Sequence, residues 1–328
     1  MPKPLFIVGT GRCGTTLLSA ILNAHPDLHL SQESSFLMVT KRKRFAKSPT
    51  AELERYFQSV PFGWLQLDKE DVLSKIQQNA SYSDCFRAVL QADANGRGKT
   101  VWGDKTPGHW MYVQAIQKDF PDAVIVHLVR DPREVVASML KVPFGSPSFL
   151  LNSIYTRWTL GCLRKQDGVH HLRLEDLLEQ PERVLRFILD QIELPWDDRL
   201  LDHDRYAVNH VRDIPWLVKA RRPLKPYVAK RSLPPHQEAW VEWICHSQLM
   251  HFGYQRHKAP LSFKAWIGDV PLALKSMFHL LRIIGFPKAC REKELRRWLA
   301  HNPKAFDQYP EWNPDKVIQA SFGTTDDS

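Results

Sequence analysis

The stretch PLFIVGTGRCGTTLL (residues 4–18) decides the fold. Leu5, Phe6, Ile7 and Val8 form a short unbroken apolar run, the pattern of a strand covered on both faces. Gly9, Gly11 and Gly14 then punctuate a tight loop, and Thr15 and Thr16 open a helical pattern that fades at 23–26. A strand, a glycine-rich turn and a helix start in that order make a phosphate cradle. Backbone N–H groups converge there, and the helix N-terminus favours negative charge.

The spacing Gly9-x4-Gly14-Thr15-Thr16 is that of a nucleotide-triphosphatase loop, but Thr15 stands where the lysine should be. Without that lysine the loop still offers backbone N–H groups, two hydroxyls and the forked cation of Arg12. Cys13 reads as a small filler. Outward from the loop, strands and helices alternate. Residues 50–94 are mainly helical, 123–129 form the most apolar strand, and Asp131-Pro132 caps the helix behind it. The expected fold is α/β: a three-layer α/β/α domain with a central, mainly parallel sheet, like that of P-loop NTPases. It spans residues 1–258, with a helical extension over 259–328.

The loop and the segment VIVHLVRDPREVVASML (124–140) together resemble the sulfotransferases that use 3'-phosphoadenosine 5'-phosphosulfate (PAPS). The likeness is to the tyrosylprotein, carbohydrate-type and bacterial members, and it covers about residues 4–254. It implies that Arg12, Cys13, Gly14, Thr15, Thr16 and Leu17 hold the 5'-phosphosulfate. Arg130 and Ser138, eight positions apart, take the 3'-phosphate. GDKTP (103–107) is similar to the segment carrying the family's catalytic lysine, here Lys105. HPDLHLSQESSF (25–36) resembles the stretch carrying a glutamate base, here Glu33. His109 is the rival base, because other branches use a histidine near that lysine. In LRLEDLL (172–178), Leu174 replaces a family tyrosine. The basic run KARRPLKPYVAKRS (219–232) is expected to close over the 3'-phosphate through Lys230 and Arg231.

The implied function is sulfuryl transfer from PAPS, without a metal, to a hydroxyl or amine of a small-molecule, glycan or lipid acceptor. Tyr56, Phe62, Phe149 and Trp158 are among the aromatics expected to line the acceptor pocket. Two alternatives remain open. A nucleotide-dependent kinase would need the missing lysine and an acidic strand end, where this chain has Arg130. A non-catalytic anion- or membrane-binding protein would exploit the net charge of +9 and the run Lys41-Arg42-Lys43-Arg44, a run more simply read as a solvated face. No nucleic-acid module stands out, so no nucleic-acid partner is expected, while peripheral membrane contact is left open. The five cysteines are scattered, with no paired metal spacing. Only three residues precede the first strand, so no secretory leader is expected and the location is read as cytoplasmic.

Overall fold

The computed structural model describes residues 2–206, 214–229, 232–257 and 260–284, with residues 313 and 315–316. In chain order the main elements begin β1 (Leu5–Val8), α1 (Thr15–Leu22), β2 (Leu28–Gln32), α2 (Phe36–Val39), α3 (Arg42–Phe45), α4 (Pro49–Phe57), α5 (Val60–Leu65), α6 (Lys69–Ser74) and α7 (Tyr82–Asn95). Next come β3 (Val101–Lys105), a 3-10 turn over Pro107–Tyr112, α8 (Val113–Asp119), β4 (Val124–Val129), α9 (Pro132–Met139) and α10 (Phe149–Leu163). The chain continues with β5 (Val169–Arg173), α11 (Leu174–Glu179), α12 (Pro181–Ile192), α13 (His203–Tyr206), α14 (Pro215–Val218), α15 (Pro235–Ile244), α16 (His246–His251) and α17 (Phe263–Ile284).

The strands form one parallel sheet in the order β2-β3-β1-β4-β5. Ile7 lies beside Lys105 on one neighbour and Val126 on the other. The central strand is therefore β1, while the longer apolar β4 lies between it and the edge strand β5. Alternation along β1 divides the core. Leu5 and Ile7 pack with α1, α11 and α12 on one face. Phe6 and Val8 face an aromatic-rich layer on the other, where Phe6 stands 5.5 Å from Phe120 and Phe36 stacks on Phe86 at 4.7 Å.

Several expectations shift here. Tyr56, Phe62 and Phe149 are buried in the core, so they stabilise the layers and do not line an acceptor pocket. Aromatic content marks burial as readily as binding. The basic run is no bare solvated face either: Arg44 pairs with the buried Glu52 at 3.0 Å, and Arg42 pairs with Asp119. The helical stretch from Pro235 to His251 breaks at Cys245 into α15 and α16. Arg133 clamps the region behind the site, with ion pairs of 2.6 Å to Asp131 and to Glu242 on α15.

Candidate active site

All the parts lie where they must in an open parallel sheet, beyond the carboxyl ends of the strands. The loop leaves β1 through Gly9. A Cβ there would lie 2.9 Å from both Cys13 Sγ and Leu128 O, so only glycine lets the chain turn this close to β4. Gly14 takes φ 98°, immediately before α1. The helix's first backbone bond from beyond its opening turn runs from Leu18 N–H to Gly14 C=O at 3.1 Å. The preceding N–H groups of the first turn have no intrahelical acceptor by the geometry of any helix start, which suits them to an anion. Cys13 is buried, and burial pushes its thiol up to about 11. It fills space as a neutral side chain.

The opposite wall is built where the paired strands β2 and β3 end, from two residues 72 positions apart. Glu33 and Lys105 follow β2 and end β3, and Glu33 N–H donates to Lys105 C=O at 2.9 Å. Their side chains meet as well: Lys105 Nζ lies 2.8 Å from Glu33 Oε1. The same ammonium donates to Thr16 Oγ1 at 3.4 Å. Lys105 is fully buried, whereas the Glu33 side chain is about a quarter open to solvent. Lys105 thus joins the proposed base to the phosphate loop.

Backbone strain marks both this wall and the loop facing it. Arg12, Glu33 and Ser35 have φ of 69°, 61° and 48°. Such angles are costly for residues with a Cβ and persist where the surroundings impose them. The surroundings are visible. Ser34 N–H donates to Asp104 Oδ1 at 3.3 Å, and Ser35 N–H donates to Thr106 Oγ1 at 3.2 Å. Residues flanking Lys105 therefore hold the turn that presents Glu33. His109 stands elsewhere: its Nδ1 is 2.9 Å from the buried Asp104 carboxylate, and its ring meets Phe86 edge-on at 5.9 Å. It is completely buried on the core side.

A third cluster forms where β4 ends. Arg12 Nε donates to Ser138 Oγ at 3.1 Å, and Arg130 donates to Arg12 C=O at 3.2 Å. Arg12, Arg130 and Ser138 are thus brought together. Arg130 also donates to Glu134 Oε2 through Nε at 3.1 Å, and Tyr227 donates to Glu134 Oε1 at 2.7 Å. Sequence reasoning missed Tyr227 as part of this cluster, whereas an ion pair of Arg130 with Glu134 is legible in the sequence. The i,i+4 spacing of Arg130 and Glu134 was the available clue. Glu175, from the LRLEDLL segment, accepts from Asp131 N–H at 3.0 Å and from Tyr254 at 2.8 Å, so it fixes the strand end carrying Arg130. Burial raises its carboxyl above the usual range. Leu174 packs over the loop: a Cβ on Gly14 would lie 2.7 Å from its Cδ1. Lys230 and Arg231 lie outside the described residues.

A glycine-rich loop without its lysine, a buried lysine on the neighbouring strand and an arginine–serine pair beyond β4 thus meet at one end of the sheet, on the P-loop-like fold that sulfotransferases share. The sulfotransferase family model matches residues 4–198, and the chain belongs to that family. Protein-tyrosine sulfotransferase 1 of Danio rerio is 25% identical over 212 residues, covering 61% of this chain and 56% of that protein. The protein-tyrosine sulfotransferase of Drosophila melanogaster is 24% identical over 253 residues, covering 73% of this chain and 46% of its own. This chain therefore spans about half the length of these curated relatives. The sulfotransferase domain from the curacin biosynthetic pathway shares the fold, with a TM-score of 0.51, 18% identity and coverage of 78% of this chain and 99% of that one. No helix among the described residues is long and apolar enough to cross a membrane.

Proposed function

We propose that this chain transfers a sulfuryl group from PAPS to a hydroxyl or amine of a small-molecule, glycan or lipid acceptor, with no metal taking part. The observation that carries the reading is the position of Lys105, buried between Glu33 Oε1 at 2.8 Å and Thr16 Oγ1 at 3.4 Å. The cradle fits such a donor: first-turn N–H groups, Thr15 and Thr16 suit the 5'-phosphate, and Arg130 with Ser138 suits the 3'-phosphate. PAPS supplies a sulfuryl group already bonded to a good leaving phosphate.

Transfer of this kind passes through a loose transition state, so positioning and charge neutralisation do most of the work. Glu33 accepts the acceptor's proton as the acceptor oxygen or nitrogen bonds to sulfur. Lys105, with Arg12, balances the charge that builds on the bridging oxygen as its bond to sulfur breaks. Glu33 is assigned the base because its carboxylate reaches solvent, whereas His109 is buried against Asp104. A cytoplasmic location belongs to the proposal, and the free thiols of Cys13, Cys85, Cys162 and Cys245 support a reducing compartment.

Calorimetric titration with adenosine 3',5'-bisphosphate in EDTA, beside Mg-ATP, tests the reading. Metal-independent binding of the bisphosphate and little binding of ATP is expected. Binding of Mg-ATP alone would overturn it in favour of a kinase.

A further inference from the structure

The last described helix, α17, has two sides with different tasks. One side is fastened to the domain. Asp269 accepts from the backbone N–H groups of Phe149 at 3.3 Å and Leu150 at 3.1 Å, and from the Ser148 hydroxyl. It thereby caps the start of α10 from another element, in the manner of a local N-cap. Just before α17, Ser262 C=O accepts from Trp240 Nε1 at 2.8 Å, and the Trp240 ring meets Phe263 at 5.8 Å.

The other side is apolar and, apart from the half-buried Val270 and the contact of Phe263 with Trp240, exposed. Phe263, Ile267, Val270, Leu274 and Met277 recur at intervals of four, three, four and three, which aligns them on one helix face. At the helical rotation per residue, Ile267 lies roughly 200° round from the anchoring Asp269. Phe263, Ile267 and Leu274 are 69%, 63% and 57% exposed. A stripe of this extent signals an interaction surface rather than scattered surface apolarity.

Charge selects the occupant. Lys264 and Lys275 are exposed beside the stripe, and the one acid of this helix, Asp269, is buried in its capping role. Beyond it the sequence stays basic as far as Lys304, with Lys288, Arg291, Lys293, Arg296, Arg297 and Lys304 against Glu292 and Glu294, and then turns acidic, with Asp307, Glu311, Asp315, Asp326 and Asp327 against Lys316. Two copies meeting stripe to stripe would bring lysines together with no exposed acid on this helix to answer them. An anionic lipid surface answers both features, since it takes the apolar stripe among its acyl chains and attracts the lysines to its headgroups. We propose that α17 is an in-plane anchor that seats this protein on an anionic membrane surface. Its capping contact with α10 would then tie the catalytic domain to that surface as one body.

Flotation of the full-length protein with vesicles tests this. Vesicles of equal parts phosphatidylglycerol and phosphatidylcholine are compared with phosphatidylcholine alone, at low and high salt. Binding that requires phosphatidylglycerol and falls with salt is expected. The double variant Ile267→Glu/Leu274→Glu should lose about tenfold or more of it, with its melting temperature unchanged because both side chains are exposed. Lys264→Glu/Lys275→Glu should lose the preference for phosphatidylglycerol, and it decides the matter if the first variant does not fold. Absence of vesicle binding, or binding unchanged in the variants, would overturn the proposal. A dimer seen by light scattering and dissolved by Ile267→Glu/Leu274→Glu would also overturn it, by giving the stripe to a second copy. None of these readouts depends on sulfuryl transfer.

Discussion

The two walls of the site are made in opposite ways. The phosphate loop is local: strand, turn and helix start lie within one short run, and Gly9 and Gly14 supply the conformations that it needs. The Glu33–Lys105 wall is assembled from strand ends 72 positions apart and held by strained backbone at Glu33 and Ser35. A local cradle can bind an anion wherever it folds. A remote pair fixes one distance, here 2.8 Å between a carboxylate and an ammonium. Labour is divided between them: binding falls mainly to the local wall and turnover to the assembled one, with Arg12 reaching from the first to the second.

The largest effect is expected at Lys105. Lys105→Ala should lower kcat by about 10³-fold, the upper range for losing a preorganised group that stabilises developing charge. Affinity for adenosine 3',5'-bisphosphate should fall far less. An equal fall in both, measured by turnover and calorimetry, would place Lys105 in ground-state binding and break the division. Glu33→Gln comes next, with a loss of about 10²-fold or more in kcat and bisphosphate affinity kept within about twofold. Full activity in this variant would remove Glu33 from the base role.

The sequence reveals the two walls unequally, for a physical reason. Glycine spacing, an apolar strand and the Asp131-Pro132 cap are local properties, and each appears as expected: Asp131 Oδ1 accepts from Arg133 N–H at 2.9 Å. Glu33 and Lys105 could be picked out only through family resemblance, because nothing local says that β2 and β3 end side by side. The strain at Arg12, Glu33 and Ser35 is imposed by tertiary contacts, such as Ser35 to Thr106, and leaves no pattern in composition. Burial direction was equally hidden. Tyr56 and Trp158 look alike in the sequence, yet one is fully buried and the other is more than half exposed. The cluster around Glu134 needs Tyr227 from 93 positions away, and no spacing announces it.

At the cluster beyond β4, which completes the binding side, the expected losses are in affinity. Arg130→Ala should weaken the bisphosphate by about 10- to 100-fold, the range for a charge-assisted hydrogen bond. The same change leaves Glu134 without its guanidinium partner. Arg130→Lys, which keeps the charge but not the fork, should recover only part of the loss. Unchanged affinity in Arg130→Ala would refute the 3'-phosphate assignment and leave Arg130 as a partner of Glu134 alone.

Acid should also reach the local wall. His127 lies on β4 opposite Val8, under the start of the loop, and its Nδ1 is 2.8 Å from Nδ1 of His171 on β5. One ring must donate and the other accept, so both cannot be protonated. Burial, and then the charge of His171, hold His127 well below the usual histidine range, and burial lowers His171. Between the folded and unfolded values the unfolded chain binds more protons, so stability is complete above about pH 6.5 and declines as pH falls below it. The slope is at most about 1.4 kcal/mol per pH unit for each such histidine. Denaturant unfolding at pH 7.5 and pH 5.5 measures it. His127→Asn should flatten the profile relative to the parent, and a parent profile already flat would show that the pair titrates alike in both states.

The smallest effect is expected at Ser138. Its hydroxyl accepts from Arg12 Nε at 3.1 Å, so it lies between the loop cation and the cluster at the end of β4. Ser138→Ala removes one neutral hydroxyl, and the expected loss in bisphosphate affinity is about fivefold, near 1 kcal/mol. The change also frees Arg12 from one of its fixed contacts, and this makes the variant informative about the boundary between the walls. If Arg12 serves only to hold the phosphosulfate, affinity should fall and kcat should stay. If kcat falls along with affinity, Arg12 must be aimed by Ser138 at the bridging oxygen. The loop would then share in turnover, and the division between a binding wall and a catalytic wall would pass through Arg12 itself.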